Sequence, residues 1–339
     1  MSATGRAIGW QSAWAAALYG PDGFYRGAEG PAGHFRTAVH AAAPTVAAAL
    51  AALARQAGCT GVIDLGAGRG ELSSTLSRIA PDLAVHAVDV VPRPADLPTR
   101  VGWTRADPAD GDPLPAWPDR LLDGVLVVAW ELLDVVPCPV LEVDQNGARR
   151  VVLVDPATGA ESLGPAADDD PQAAAWCRRW WPVDGAMLDG AEVDGAEAGV
   201  RVEVGLPRDQ LWAAIAGRLR SGLMLAVDYG HLAGQRPPLG SLAGFRRGRQ
   251  VPPVPDGRCD LTAEVALDAL AEAARAAGAG PGRLLDQRSA LTWLVGSANC
   301  PAELLDPGGL GGFSWLLQPV GMPAPHLAGA GAPLVAPEG

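Results

Sequence analysis

The stretch VIDLGAGRGE, residues 62–71, sets an apolar run directly against three glycines, Gly66, Gly68 and Gly70. TGVIDLG (60–66) has the length and branching of a short buried strand, and Leu72, Leu76 and Ile79 then recur on one face of a helix. A strand, a glycine turn and a helix in immediate succession make a place where the backbone turns tightly and a ligand can come close to it. Dinucleotide dehydrogenases use such a turn, but their fingerprint G-x-G-x-x-G requires a closing Gly or Ala. Counted from Gly66 that position is Glu71, and counted from Gly68 it is Ser73, so the pattern fails. Carboxylates at this helix N-terminus would also repel a pyrophosphate.

Strands and helices alternate outward from this loop. LAVHAVDV (83–90) predicts a second strand and LLDGVLVVA (121–129) a long apolar one, of the kind covered on both faces. Leu211, Ile215 and Leu219 mark a helix that leads into the strand GLMLAVD (222–228). The alternation predicts an α/β fold with a doubly wound, mostly parallel sheet. On the N-terminal side, Trp10, Trp14 and Leu18 predict an amphipathic helix over 7–19, followed by a glycine-rich loop over 23–37 and an Ala-rich helix over 45–57.

We therefore divide the chain into N-terminal helices and a loop (1–58), a core (59–155 and 200–321), an insertion on the substrate side (156–199) and a frayed tail (322–339). The insertion, with its run DDDP and spaced glycines, is expected to be flexible, although Trp176, Trp180 and Trp181 lie within it.

Composition narrows the function. All 26 basic residues are Arg, and the net charge of −12 sets a repelling average field against a nucleic-acid backbone. The basic cluster FRRGRQ, with Arg246, Arg247 and Arg249, reads as a solvated loop. Five scattered cysteines without a C-x-x-C pair, and five histidines without clustering, give no metal site and no disulfide framework. No run approaches the roughly 18 apolar residues of a membrane span, and the first twenty residues hold no leader-like apolar core. A cytoplasmic protein without nucleic-acid or membrane partners is expected. The oligomeric state is left open.

Asp64 with the three glycines matches the acidic D-x-G-x-G-x-G of class I methyltransferases. Their cofactor, S-adenosyl-L-methionine, has no phosphate and carries a cationic amino group and a sulfonium, which suit Asp64 and Glu71. Asp89 ends the second strand 23 residues after Gly66, where a carboxylate can accept both ribose hydroxyls. Asp107, in TRADPADG, follows the expected third strand, where a carboxylate meets the adenine amino group.

The chain more widely resembles the MidA-like family of class I methyltransferases, whose mitochondrial members are arginine methyltransferases acting in respiratory complex I assembly. The segments that carry the resemblance are YGPDGFY (19–25), GHFRT (33–37), DLGAGRGEL (64–72), WELLDVVP (130–137), VDYGH (227–231), CDLTAEV (259–265) and FSWLLQPVG (313–321). Three positions depart from the family's usual text: His34 stands for Asp, Trp130 for Asn and Glu264 for His.

The resemblance implies S-adenosyl-L-methionine as cofactor, bound by Asp64, Gly66, Gly68, Gly70, Asp89 and Asp107 with Trp130, Gly33 and Thr37. It sets Glu131 and Asp134 as the catalytic pair. At i and i+3 on a helical turn the two carboxylates would share a face and clamp a planar guanidinium, with Trp130 as a cation–π wall. The plain alternative is an acidic pair complementing a helix dipole. The acceptor is a protein, as arginine, or a small molecule; a non-catalytic cofactor-binding assembly factor is the remaining alternative.

Overall fold

The computed structural model describes residues 7–27, 38–106, 117–183, 187–188, 191–192, 198–325 and 334. Its centre is a seven-stranded sheet. The strands are β1 (Gly61–Leu65), β2 (Ala84–Asp89), β3 (Gly102–Arg105), β4 (Val125–Trp130), β5 (Gly222–Asp228), β6 (Arg283–Asp286) and β7 (Ser314–Val320). Their order is β3-β2-β1-β4-β5-β7-β6, with β7 antiparallel to both its neighbours and the other pairings parallel.

Every residue of β1, β4 and β5 is buried, which is why these strands read as unbroken apolar runs. The chain order runs outward from β1 through β2 to β3, then resumes on the other side of β1 at β4. The direction reverses between β1 and β4, and a ligand crevice opens beyond the carboxyl ends of strands at such a point.

Helices cover both faces. On one side α2 (Ala38–Gln56), α3 (Glu71–Ile79) and α7 (Gln287–Val295) bury Leu50, Leu53, Leu76 and Leu291. On the other, α5 (Leu206–Arg218) and α6 (Leu267–Ala276) bury Trp212, Ile215 and Leu270. The Ala-rich helix starts earlier than expected, because a preceding helical turn joins it across a kink at Ala42, just before Pro44. The long apolar strand starts later, at Val125, because Asp119–Leu121 is a 3-10 turn and Gly124 has a positive φ.

Ile79 is not a core residue. The buried face of α3 is centred on Leu76 and Ala80, and Ile79, the last helical residue, sits at its margin with 44% exposure.

A second, antiparallel sheet joins Ile8–Gly9, Arg149–Val154, Val140–Val143 and Arg201–Glu203, with Glu161–Ala166 added on Arg149–Val154. Alternate residues face opposite sides of such strands. Val140, Val152 and Val154 pack against α1 (Trp10–Tyr19), whereas Leu141 and Val143 pack against α4 (Pro171–Trp180). Trp176, Trp180 and Trp181 are buried in that second layer, and the Trp176 indole donates to Asp209 on α5 at 2.6 Å. The stretch 156–183 is thus built into the fold rather than hung from it. The sheet it belongs to begins at Val140, before the expected boundary at 155.

FRRGRQ is the tip of a hairpin between Ala243–Arg246 and Arg249–Val251, and its three arginines are exposed. Of the tail, residues 326–333 and 335–339 lie outside the described residues, as do parts of the glycine-rich loop (28–37). Among the described residues no helix is long and apolar enough to cross a membrane.

The two faces of α3 give the first test. Leu76→Ala should destabilise by about 2–5 kcal/mol, and Ile79→Ala by no more than about 0.5 kcal/mol, in denaturant titrations followed by circular dichroism. Equal losses would contradict the assigned face.

Candidate functional site

The glycine loop leaves β1 at the reversal point. Gly66, Gly68 and Gly70 all have positive φ (69°, 59° and 79°), a conformation that L side chains rarely adopt. Their surroundings separate them. A Cβ at Gly66 would meet Leu132 at 2.8 Å, and one at Gly70 would meet Leu97 at 2.5 Å, so both glycines permit close packing within the protein. At Gly68 a Cβ would find only the Glu71 carboxylate, at 3.9 Å. All three line the cavity, and Gly68 alone has no close protein neighbour where a side chain would go.

Two carboxylates hold this loop. Asp89, at the end of β2, accepts the Gly68 N–H at 2.7 Å and the Val91 N–H at 3.1 Å. Burial raises its pKa to about 6 against the pull of these amide bonds. The Val90 amide contributes as well; a carboxylate has roughly four lone-pair sites, so capacity for a hydroxyl remains. Asp64 accepts the buried Ser73 hydroxyl at 2.6 Å and so ties β1 to α3. Burial raises it to about 7, with the Ser73 bond working in the opposite direction.

The loop forms one side of a cavity of about 1960 Å³. Residues 130–132 and 134–137, Tyr19, Tyr25, Asp260 and Glu264 line it as well. Ligand pockets commonly hold ~300–1,000 Å³, so there is room for a cofactor and a second reactant.

Glu131 and Asp134 line this cavity, but they do not share a helical turn. Residues 131–136 form bends and turns, and Glu131 itself has φ 51°. The reason lies in where the backbone groups go. The Glu131 N–H donates to Val227 O at 2.9 Å, and the Asp134 carbonyl accepts the Ala263 N–H at 3.0 Å. Arg208 of α5, 1% exposed, donates to the carbonyls of Asp134 (2.9 Å), Val136 (3.2 Å) and Glu264 (2.8 Å). These partners replace a helical ladder, and the helix-dipole alternative for the pair falls with it.

Asp134 is buried and lies within hydrogen-bonding reach of Asp228, at the end of β5. Trp130 borders the cavity with 5% exposure. Its ring and that of Trp315 meet at a steep angle with centroids 5.3 Å apart, its burial leaves little surface for a cation, and its indole N–H has no partner among the described residues. Gly33, Thr37 and Asp107 lie outside the described residues.

Other residues join the site without having been singled out. The Tyr25 hydroxyl donates to Asp260 at 2.9 Å, Tyr19 stacks on Tyr25 at 5.5 Å, and the Tyr19 hydroxyl donates to Val135 O at 3.1 Å. Burial raises both phenols and the Asp260 carboxyl well above their usual ranges. Tyr19, Tyr25, Asp228 and Asp260 all sit in the motif segments, whose recurrent Tyr and Asp are the signal that could have found them. Arg208 gives no such signal, since LPRDQLW reads as ordinary helix.

Residues 43–283 match a family described as putative S-adenosyl-L-methionine-dependent methyltransferases. The chain is similar in fold to a Burkholderia thailandensis protein solved with S-adenosyl-homocysteine bound, at 21% identity and a TM-score of 0.70, covering 94% of this chain and 89% of that one. A native structure of an uncharacterized protein from the same organism gives 22% identity and a TM-score of 0.69, covering 94% and 88%. No curated protein matches the sequence.

Gly68→Val places a branched side chain in the open space at a positive φ. It should weaken S-adenosyl-homocysteine binding at least roughly tenfold, the equivalent of about 1.4 kcal/mol, with NAD bound by neither form. Calorimetric titration and a melting curve check this. Normal binding by a folded variant would remove the loop from the site.

Proposed function

We propose, on the premise that the chain belongs to this family of S-adenosyl-L-methionine-dependent methyltransferases, that it methylates a guanidinium nitrogen of arginine in a protein. The observation that carries the reading is the convergence of four carboxyl groups from three separate segments at one cavity. Glu131, Asp134 and Asp260 line it and Asp228 lies behind Asp134. Their charges are close enough to raise one another's proton affinity: Glu131 and Asp134 both do so at Asp228 and at Asp260. Arg208 offsets part of this charge at Asp134 and Asp228, and the wall remains complementary to an incoming cation. A guanidinium is planar, permanently charged and weakly hydrated, and carboxylates hold it by charge-assisted bonds.

The bound cofactor supplies an electrophilic methyl carbon on a sulfonium. For the chain's own residues the task is alignment, since an in-line displacement draws much of its rate from reactants held in register. We assign Gly68 to leave room for the cofactor at the backbone and Asp89 to accept a ribose hydroxyl. Glu131 orients the guanidinium, with Asp134 beside it. The cavity volume supports an acceptor that enters as part of a larger molecule.

Tritiated S-adenosyl-L-methionine incubated with the protein and total extract of the source cells tests the reading. Label should appear in the protein fraction and, after acid hydrolysis, in methylarginine. Label confined to small molecules would overturn it.

Glu131→Gln keeps shape and hydrogen-bonding capacity but removes the charge. Losing a charge-assisted partner costs about 1.5–3 kcal/mol, or about one to two orders of magnitude in turnover. The cofactor dissociation constant should stay within about twofold. Unchanged turnover would move the acceptor elsewhere in the cavity.

A further inference from the structure

We propose that Asp134 accepts the proton displaced from the acceptor nitrogen, and that Asp228 is the positioning residue that holds Asp134 ready through a proton shared between the two carboxyls. This deepens the arginine reading and rests on it.

The geometry begins with two orphaned oxygens. Asp228 is fully buried, and its Oδ2 accepts the Leu133 N–H at 2.8 Å. Asp134 is nine-tenths buried and borders the cavity. The two side chains lie within hydrogen-bonding reach of each other, and no N–H or hydroxyl donor reaches the Oδ1 of either. A proton held between the carboxyls would give both a partner.

The surroundings decide which carboxyl keeps it. Arg208, Asp228, Glu131, Asp260, Tyr19, Tyr25 and Tyr229 are the charged and titratable groups around Asp134. Burial, then the negative neighbours Asp134 and Glu131, push Asp228 well above the carboxylate range. Burial also raises Asp134, but Arg208 and the bond from Asp228 restrain the rise, to about 6. At neutral pH Asp228 is the carboxylic acid and donor, and Asp134 is the carboxylate facing the cavity. A base that titrates near the working pH is well matched to its task, and two acids driven apart in this way take separate roles.

Methylating a guanidinium requires such a base. The acceptor nitrogen's electron pair forms the new N–C bond while the C–S bonding pair returns to sulfur. The N–H bonding pair stays on nitrogen, and its proton passes to the Asp134 carboxylate. The pair is then neutral, and Asp134 releases its proton to the solvent-filled cavity. As pH falls through about 6, Asp134 becomes protonated beforehand and turnover declines.

The pair is tested by the pH dependence of methylarginine formation, with tritiated S-adenosyl-L-methionine and source-cell protein, and by infrared spectroscopy of the S-adenosyl-homocysteine complex. Asp134→Asn should lower turnover by about 10²–10⁴ and abolish the acid limb. Asp228→Ala should move that limb upward by on the order of one pH unit, because Asp134 loses its donor, and Asp228→Asn, which can still donate, should bring it back. The infrared spectrum should show, at neutral pH in the native protein, a protonated buried carboxyl whose band is lost in Asp228→Asn, apart from the bands of Asp260 and Asp64 that both proteins share. No such carboxyl, or methylarginine still formed with an intact acid limb by Asp134→Asn, overturns the proton role and leaves the arginine reading standing. The carboxyl band present with label on a residue other than arginine overturns the arginine reading instead, and the proposal with it.

Discussion

The acceptor side of the cavity depends on one buried cation. Arg208 is 1% exposed, and its guanidinium spends its donors on the backbone carbonyls of Asp134, Val136 and Glu264. A buried charge is tolerated only where it is hydrogen-bonded and electrostatically matched. Here three carbonyl dipoles and the negative charge around Asp134 supply both. In satisfying itself, Arg208 fastens the segment after β4 to α5 and to the chain leading into α6. The placing of Glu131 and Asp134 is a by-product of that fastening.

The same interaction explains what the sequence could and could not tell. The central strands are legible because β1, β4 and β5 are covered on both faces, which leaves an uninterrupted apolar signature. The glycine loop is legible because its backbone demand is local: positive φ at residues 66, 68 and 70 restricts the choice to glycine. WELLDVVP carries no comparable mark. Its residues have ordinary helical spacing, and only partners about seventy to one hundred and thirty positions away, at Arg208 and Ala263, hold its carbonyls out of a helical ladder. The second sheet is obscured for a related reason: its short strands alternate between two different apolar layers, and the tryptophans that form one of them lie beside a run of aspartates.

The glycines show how far a motif reaches. Three residues that look equivalent in D-x-G-x-G-x-G answer to different neighbours: Leu132 for Gly66, Leu97 for Gly70 and empty space for Gly68. The pattern locates the loop, whereas the division of labour inside it belongs to side chains far along the chain. The candidate site is likewise divided. Asp64 and Asp89 were accessible to reading by position, but Asp228 and Asp260 became meaningful only when the fold set them against Asp134 and Tyr25.

That division has a consequence for the order in which the cavity assembles. The bond from the Gly68 amide to Asp89 closes a loop of 21 residues, whereas the bond from Tyr25 to Asp260 spans 235. Loop-closure entropy grows as the logarithm of length, which makes the second closure costlier by about 2 kcal/mol. A growing chain can complete the Gly68–Asp89 contact once β2 has formed, but Tyr25 must wait for a partner far toward the C-terminus. The half of the cavity that the glycine loop defines is available early, and the half that would discriminate among acceptors closes late.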